Sequence, residues 1–280
     1  MTATPPAAPN DMPVPAPATP PADAAAHVPP PAAPEDAAAP ALPRPGRPWG
    51  FWATIGLALV VVMVQVFIVA MLTVVYTLLV PGTDGSELPA NGLFLSVVFL
   101  ASAPPCSALV VLFAWLRHKQ YPLVEYLGLR RPRVRTVVGW VGVAVALVLA
   151  GDALSYAAGQ PIVPPFMMDV YTTSVFPPLL FLTLIVLGPA LEELLFRGFL
   201  LEGMRRSCVG PWVALVLTSA LWAATHTQYN VYGIASIFFY GLLLGITRLR
   251  TNSLWTCFAM HAVTNALATA EVMVKVHLLD

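Results

Sequence analysis

One segment of the chain has the sequence Val186-Leu-Gly-Pro-Ala-Leu-Glu192-Glu193-Leu-Leu-Phe-Arg197-Gly-Phe-Leu-Leu201. Its composition is that of a membrane-spanning helix, yet it carries two adjacent carboxylates and a guanidinium. Ionisable groups at bilayer depth cost free energy, so they are rare unless they pair, line a water-filled cavity or take part in function. The segment therefore predicts a membrane helix that contributes to a functional site.

The composition of the whole chain is typical of a polytopic membrane protein. Hydrophobic residues make up 58% of it and charged residues only 10%, whereas a soluble domain has about 25% charged residues. Lys and Arg balance Asp and Glu at 14 each, so the charge indicates no nucleic-acid partner. Cys106, Cys208 and Cys257 have neither metal-ligand nor disulfide spacing, and we expect all three in the apolar core.

The first part of the chain differs from the rest. Residues 1–49 are rich in proline and alanine and contain few large apolar side chains. Such a segment buries too little surface to offset its ordering entropy, so it predicts a disordered N-terminal tail. We divide the chain accordingly into this tail and a transmembrane domain over residues 50–280.

Seven segments are apolar and long enough to cross a hydrocarbon core about 30 Å thick. They are 51–80, 93–116, 137–157, 177–204, 211–226, 232–249 and 253–274. The fourth contains Gly188-Pro189, a pair that predicts a kink. We therefore predict an all-α transmembrane bundle of about seven spans, or eight if one segment is a split or re-entrant helix.

Basic residues are confined to alternate loops, which predicts the orientation. They are Arg117, Lys119, Arg130, Arg131, Arg133 and Arg135 in the second loop, Arg205 and Arg206 after the fourth helix, and Arg248 and Arg250 after the sixth. The other loops contain neither Lys nor Arg. The positive-inside rule places the basic loops and the N-terminus in the cytoplasm. We expect an integral protein of a bacterial-type plasma membrane, in contact with lipid.

Polar residues recur at helical spacing in three of the predicted spans. Glu193 and Arg197 share one helix face, and Glu192 is rotated from it by about 100°. Trp222 and His226 are four residues apart, as are His261 and Asn265. Counted at about 1.5 Å per residue from the basic helix ends, Glu192 and His226 lie about 20 and 22 Å deep, and His261 and Asn265 about 12 and 18 Å. These residues are therefore candidates for one site.

Two kinds of chemistry fit this set. A carboxylate beside an imidazole can deprotonate a water molecule, and a second imidazole with an amide can stabilise an oxyanion, which is the equipment for amide hydrolysis. Alternatively, Glu192, His226 and His261 could ligate a divalent metal such as Zn²⁺. The HExxH motif is absent. Glu193 and Arg197 are explained by a structural ion pair.

Three ordered motifs resemble those of the CPBP (CAAX protease and bacteriocin-processing, or Abi) family of intramembrane endopeptidases. They are Glu192-Glu193-x-x-x-Arg197, Trp222-x-x-x-His226 and His261-x-x-x-Asn265. The resemblance covers residues 120–275. Trp222 stands where the second motif usually has phenylalanine.

The resemblance implies a helical membrane protease whose site opens toward the cytoplasm. Glu192 and His226 would activate water, His261 and Asn265 would stabilise the oxyanion, and Glu193, Arg197 and Trp222 would support the site. Between metal-free and zinc-dependent catalysis it favours the metal-free reaction, because the oxyanion role occupies His261. The substrate would be a membrane-associated peptide or protein, of CAAX type or a peptide precursor. The oligomeric state stays open.

Other functions are compatible with the same fold. A non-catalytic scaffold or regulatory protein would use the tail and the basic loop to dock a partner. A transporter would use the intramembrane carboxylates as a proton pathway, although no internal repeat is apparent in the two halves.

Overall fold

The computed structural model describes residues 1–3 and 48–279, so nearly all of the predicted tail lies outside the described residues. Within these residues every regular secondary-structure element is a helix, as the composition predicts. One isolated β-bridge, between Leu129 and Ser253, joins two loops. The prediction of an all-helical membrane protein is confirmed.

Nine helices follow one another along the described part of the chain. They are α1 (Phe51–Leu79), α2 (Gly92–Trp115), α3 (Leu123–Leu127), α4 (Val134–Ala157), α5 (Pro165–Thr172), α6 (Pro177–Arg205), α7 (Gly210–Ala224), α8 (Val231–Thr251) and α9 (Leu254–Val274). Six of them, α1, α2, α4, α6, α8 and α9, are long and apolar enough to cross a membrane. Helix α7 is apolar but has only 15 residues. These are the seven segments that the sequence predicts.

Helix α6, which carries the charged segment, is not a uniform α-helix. Two stretches, Thr183–Leu187 and Leu194–Leu200, have π-helical hydrogen bonding. Gly188-Pro189 lies directly after the first stretch, at the place where the sequence predicts a kink. π-helical turns are rare and occur mostly at functional sites, since they change the direction in which successive side chains point. Glu192 and Glu193 lie between the two stretches, and Arg197 lies within the second.

Helices α7 and α8 pack closely because α8 has glycines at the contact. A Cβ atom on Gly241 would lie 3.1 Å from the Trp222 ring and 3.2 Å from the Ser219 side chain. A Cβ atom on Gly245 would collide with Leu215. The Gly-x-x-x-Gly spacing is a common device for close helix approach in membranes. It brings the α8 backbone against Trp222.

The basic end of the bundle is held together by one buried carboxylate, Glu202 of α6. It accepts hydrogen bonds from Tyr121 Oη (2.8 Å), Arg205 Nε (2.6 Å) and Arg206 Nε (3.1 Å). Arg248 of α8 approaches it at 3.5 Å. Burial and the Glu202 charge raise the pKa of Tyr121 to about 12. Three cations and a phenol thus converge on one side chain.

The sequence assigns Arg248 to the loop after the sixth segment, whereas the structure places it in the last turn of α8, where it is buried. Its side chain is 2% exposed, and its guanidinium donates to the Asn252 side chain and the Tyr126 carbonyl. Gly128, at a φ of 69°, allows the chain after α3 to run against that guanidinium. A charge count along the sequence cannot distinguish a loop cation from one that folds back on a buried carboxylate.

Removal of Glu202 would leave Arg248 buried without its counter-charge. We expect Glu202→Ala to lower the free energy of unfolding by about 3 kcal/mol. Glu125→Ala is the matched control, because it removes a more exposed pair with Arg130 and should cost less than about 1 kcal/mol. Denaturant unfolding in detergent micelles measures both. Equal losses in the two variants would contradict the structural role of Glu202.

Candidate active site

Glu193 is the central side chain of a cluster built by α6, α8 and α9. It is fully buried and forms an ion pair with Arg197 Nη1 at 3.0 Å, as the spacing predicts. The same carboxylate oxygen accepts a hydrogen bond from His261 Nδ1 at 2.9 Å. Arg197 also donates to the Gly241 carbonyl at 3.3 Å. Glu193 therefore joins its own helix to α9 and, through Arg197, to α8.

Glu192 points away from this ion pair, as its rotation on the helix predicts. Its carboxylate accepts a hydrogen bond from Trp222 Nε1 at 2.6 Å. It lies 4.0 Å from His261 Nε2, and its side chain is 24% exposed. A separation of this size between two polar groups is one that a water molecule can bridge. The two adjacent glutamates thus differ in kind, one a buried partner and the other an open carboxylate.

Trp222 lies between the two histidines. Its ring centroid is 5.1 Å from that of His226 and 5.4 Å from that of His261, with the planes near perpendicular in both pairs. The Arg197 guanidinium carbon lies 4.3 Å above the indole. The indole is thus fixed by an imidazole on each side, a cation and the Glu192 carboxylate. Trp222 positions the site residues relative to one another.

His226 belongs to the cluster but does not pair directly with Glu192. It follows the end of α7, is partly exposed, and donates from Nδ1 to the Trp222 carbonyl at 2.9 Å. No hydrogen bond or ion pair between Glu192 and His226 occurs in the described structure. The closer imidazole to Glu192 is that of His261. Helical spacing cannot reveal which histidine lies nearer to Glu192, because that depends on where the Trp222 ring lies.

Asn265 makes a hydrogen bond between two helices, a structural role that its place in an apolar helix also allows. Its Nδ2 donates to the Leu184 carbonyl at 2.8 Å. That carbonyl is in the first π-helical stretch of α6, where its i+5 donor would be residue 189. Pro189 has no N–H group. Asn265 therefore satisfies a carbonyl that proline leaves without its helical donor, and the rest of its amide lines a cavity.

The two sides of the cluster differ in burial. Fully buried side chains lie on the basic side of the cluster along α6, α8 and α9; they are Phe199, Leu201, Leu244, Cys257 and Met260. At the other end Thr227 and Gln228 are exposed. The resemblance implies a site that opens toward the basic loops; in the described structure a buried layer lies between the cluster and those loops.

The residues do not assemble the metal site that the sequence leaves open. Within the described part of the chain, no three His, Cys, Asp or Glu side chains converge as metal ligands. In particular His226 is held beside the Trp222 carbonyl rather than beside Glu192. The set Glu192, His226 and His261 does not fit a three-ligand zinc centre in this arrangement.

Two further residues of the site carry no motif that identifies them in the sequence. Tyr240 has its ring 6.2 Å from both Trp222 and His261, and its hydroxyl is hydrogen-bonded to Thr264 at 2.9 Å. Gly241 supplies the carbonyl that binds Arg197. The Gly-x-x-x-Gly spacing of α8 could have indicated Gly241. Nothing in the sequence distinguishes Tyr240 from other aromatic residues.

Comparisons with known proteins agree on one region. A family model described as "Type II CAAX prenyl endopeptidase Rce1-like" matches residues 174–267, which include every predicted site residue. A protein of Escherichia coli, described as "Uncharacterized 24.3 kDa protein", is 32% identical over 164 residues. That alignment covers 57% of this chain and 73% of the relative. No solved structure matches at a significant level.

The two glutamates should differ in their effect on stability. Glu193→Ala leaves both Arg197 and His261 without their partner, so we expect a loss of about 3 kcal/mol in the free energy of unfolding. Glu192→Ala removes one hydrogen bond at a partly open position and should cost about 1 kcal/mol. Unfolding of the two variants in the same detergent gives the comparison. A larger loss for Glu192→Ala would reverse the roles assigned to the pair.

Proposed function

This chain belongs to the Rce1-like group of the CPBP family of membrane endopeptidases, and on that premise we propose that it hydrolyses peptide bonds of membrane-associated substrates with water activated by Glu192. The observation that carries the proposal is the position of that carboxylate. It is the partly exposed member of the glutamate pair, and it lies 4.0 Å from His261 Nε2 at the open side of the cluster.

Glu192 acts as the general base of this reaction. Trp222 Nε1 holds one carboxylate oxygen, which fixes the orientation of the group while leaving it accessible. A water between Glu192 and the neighbouring imidazole loses a proton to the carboxylate as it attacks the carbonyl carbon of the substrate. The protonated Glu192 then gives this proton to the leaving amine nitrogen as the C–N bond breaks. His226, on the far side of Trp222, is placed to assist in moving protons at the same open end.

His261 and Asn265 stabilise the oxyanion. Nδ1 of His261 lies 2.9 Å from a Glu193 oxygen, which leaves Nε2 on the side of Glu192, 4.0 Å away. One N–H of Asn265 is bound to the Leu184 carbonyl, and the other is available to the substrate. Donors held in place before the reaction stabilise the charge that develops on the carbonyl oxygen. Glu193 and Arg197 act by holding His261.

The substrate of this reaction is a peptide or protein at the membrane, of CAAX type or a peptide precursor. The basic loops and the N-terminus lie in the cytoplasm of a bacterial-type cell by the positive-inside rule. We place the opening of the site at the end away from the basic loops, where Thr227 and Gln228 are exposed, so that the cut falls on the outer side of the membrane. This orientation favours substrates with a segment on that side.

Comparison of protein termini tests the endopeptidase proposal. We expect termini that arise in cells carrying the wild-type chain to be lost with Glu192→Gln, because the amide cannot accept the proton from water. Mass spectrometry of newly formed termini, at matched protein abundance, is the measurement. Glu271→Gln is the control, since Glu271 is a partly buried carboxylate of α9 outside the cluster, and it should preserve the termini.

A scaffold or regulatory function predicts a different result. It is favoured if the set of termini is the same with the wild-type chain and with Glu192→Gln while the cellular phenotype is retained. A phenotype that depends on residues 1–48 and not on Glu192 would point the same way.

Cysteine labelling tests the side on which the site opens. Cys208, which the sequence places in the core, is exposed in the loop between α6 and α7 at the basic end. Gln228 is exposed at the other end. In intact cells a membrane-impermeant maleimide should label Gln228→Cys in a Cys208→Ser background. The native Cys208 should react only after permeabilisation. The reverse pattern would place the catalytic end in the cytoplasm.

A further inference from the structure

A cavity of about 130 Å³ lies directly beside the catalytic cluster. Its walls come from α5, from the first π-helical stretch of α6, from α9 and from the loop before α8. Most of the lining is apolar. It includes Phe166, Leu184, Tyr229, Asn265, Ala268 and Thr269. The resemblance and the motifs assign no role to this cavity.

We propose that this cavity is the subsite that binds one large apolar side chain of the substrate next to the bond that is cut. The inference rests on the proposed endopeptidase function and specifies which substrates that function selects. The occupant is a branched aliphatic or aromatic side chain of a peptide, rather than a long lipid chain.

The cavity and the catalytic cluster share residues. Asn265 lines the cavity, and its amide binds the carbonyl of Leu184, which lines it as well. Tyr229 forms another part of the wall, and its ring centroid is 6.2 Å from that of His226. A side chain in the cavity therefore places its own backbone between Asn265 and the histidine. A peptide bond next to that residue lies where Glu192 can direct water to it.

The size of the cavity selects the occupant. An apolar cavity of about 150 Å³ in another protein binds benzene, so 130 Å³ suits a group with the bulk of a leucine or phenylalanine side chain. Pockets for larger ligands measure about 300 to 1,000 Å³.

The walls are fixed in the protein without a substrate. Helix α5 is attached to α2 by a hydrogen bond from Gly92 N to Thr173 Oγ1 at 2.8 Å. It is attached to the chain after α9 by the Tyr171 hydroxyl and His277 Nε2, 3.0 Å apart. Phe166 of α5 packs against Tyr229 with ring centroids 5.9 Å apart. A preformed cavity binds a side chain without the cost of ordering its walls.

Tyr229 adds a polar group to the apolar wall. Burial and the negative charge of Glu192 raise the pKa of Tyr229 to about 12, so its hydroxyl keeps its proton at physiological pH. In the described structure that hydroxyl has no hydrogen-bond partner. It can donate to a backbone carbonyl of the bound peptide while the cavity holds the side chain.

Filling the cavity tests the proposal. Ala268 lines it on α9, whereas Ala270 of the same helix is exposed and does not. We expect Ala268→Leu to reduce cleavage beside large apolar residues about tenfold relative to cleavage beside alanine or serine. Ala270→Leu should keep the wild-type preference. Mapped termini from cells with each variant give the two preferences, and an unchanged preference in Ala268→Leu overturns the subsite.

A binding measurement separates this proposal from the endopeptidase proposal. The probe is an alanine-based peptide with one 4-fluorophenylalanine, titrated by fluorine NMR into the purified Glu192→Gln protein. Adding Ala268→Leu should weaken binding about tenfold, and adding Ala270→Leu should not. If wild-type cells show no new termini but this difference in affinity persists, the endopeptidase proposal fails and the cavity remains a side-chain site. Equal affinity in all three proteins overturns the subsite.

Discussion

The architecture of this site depends on the burial of the Glu193 carboxylate. An ionised group inside an apolar bundle is tolerated only when it is paired and hydrogen-bonded. Glu193 meets this requirement by sharing one oxygen between Arg197 of its own helix and His261 of α9. Arg197 extends the connection to the Gly241 carbonyl and to the face of Trp222. Four helices are thus arranged around one carboxylate, and Glu192 points away from it toward Trp222 Nε1.

Backbone irregularity and chemistry occur together on α6. Pro189 leaves the i+5 position of the Leu184 carbonyl without an N–H group, and the Asn265 amide supplies one. The bond fixes Asn265 at the wall of the cavity and close to His261, one turn away on α9. The π-helical stretch of α6 therefore holds Asn265 of α9 in place. Structural and catalytic explanations of Asn265 are complementary, because its amide has two N–H groups.

The two ends of the bundle differ in their structure. At the basic end, Glu202 gathers Tyr121, Arg205, Arg206 and Arg248, and tightly packed apolar side chains separate this network from the site. At the other end, α7 stops after 15 residues, shortly before the partly exposed His226. The basic residues from which the sequence predicts the orientation thus also hold this end of the bundle together through Glu202.

Much of the helical structure and of the site can be predicted from local patterns in the sequence. Hydrophobic length and charge spacing predict the helices, the ion pair of Glu193 with Arg197 and the divergence of Glu192 from it, because these depend on the periodicity of one helix. The order of His261 and His226 around Glu192, the burial of Arg248, the donor that Asn265 provides and the cavity beside it depend on rotation and depth between helices. Those are set by close contacts such as Gly241 against Trp222. A periodicity specifies the face on which a residue lies, whereas packing specifies what that face meets.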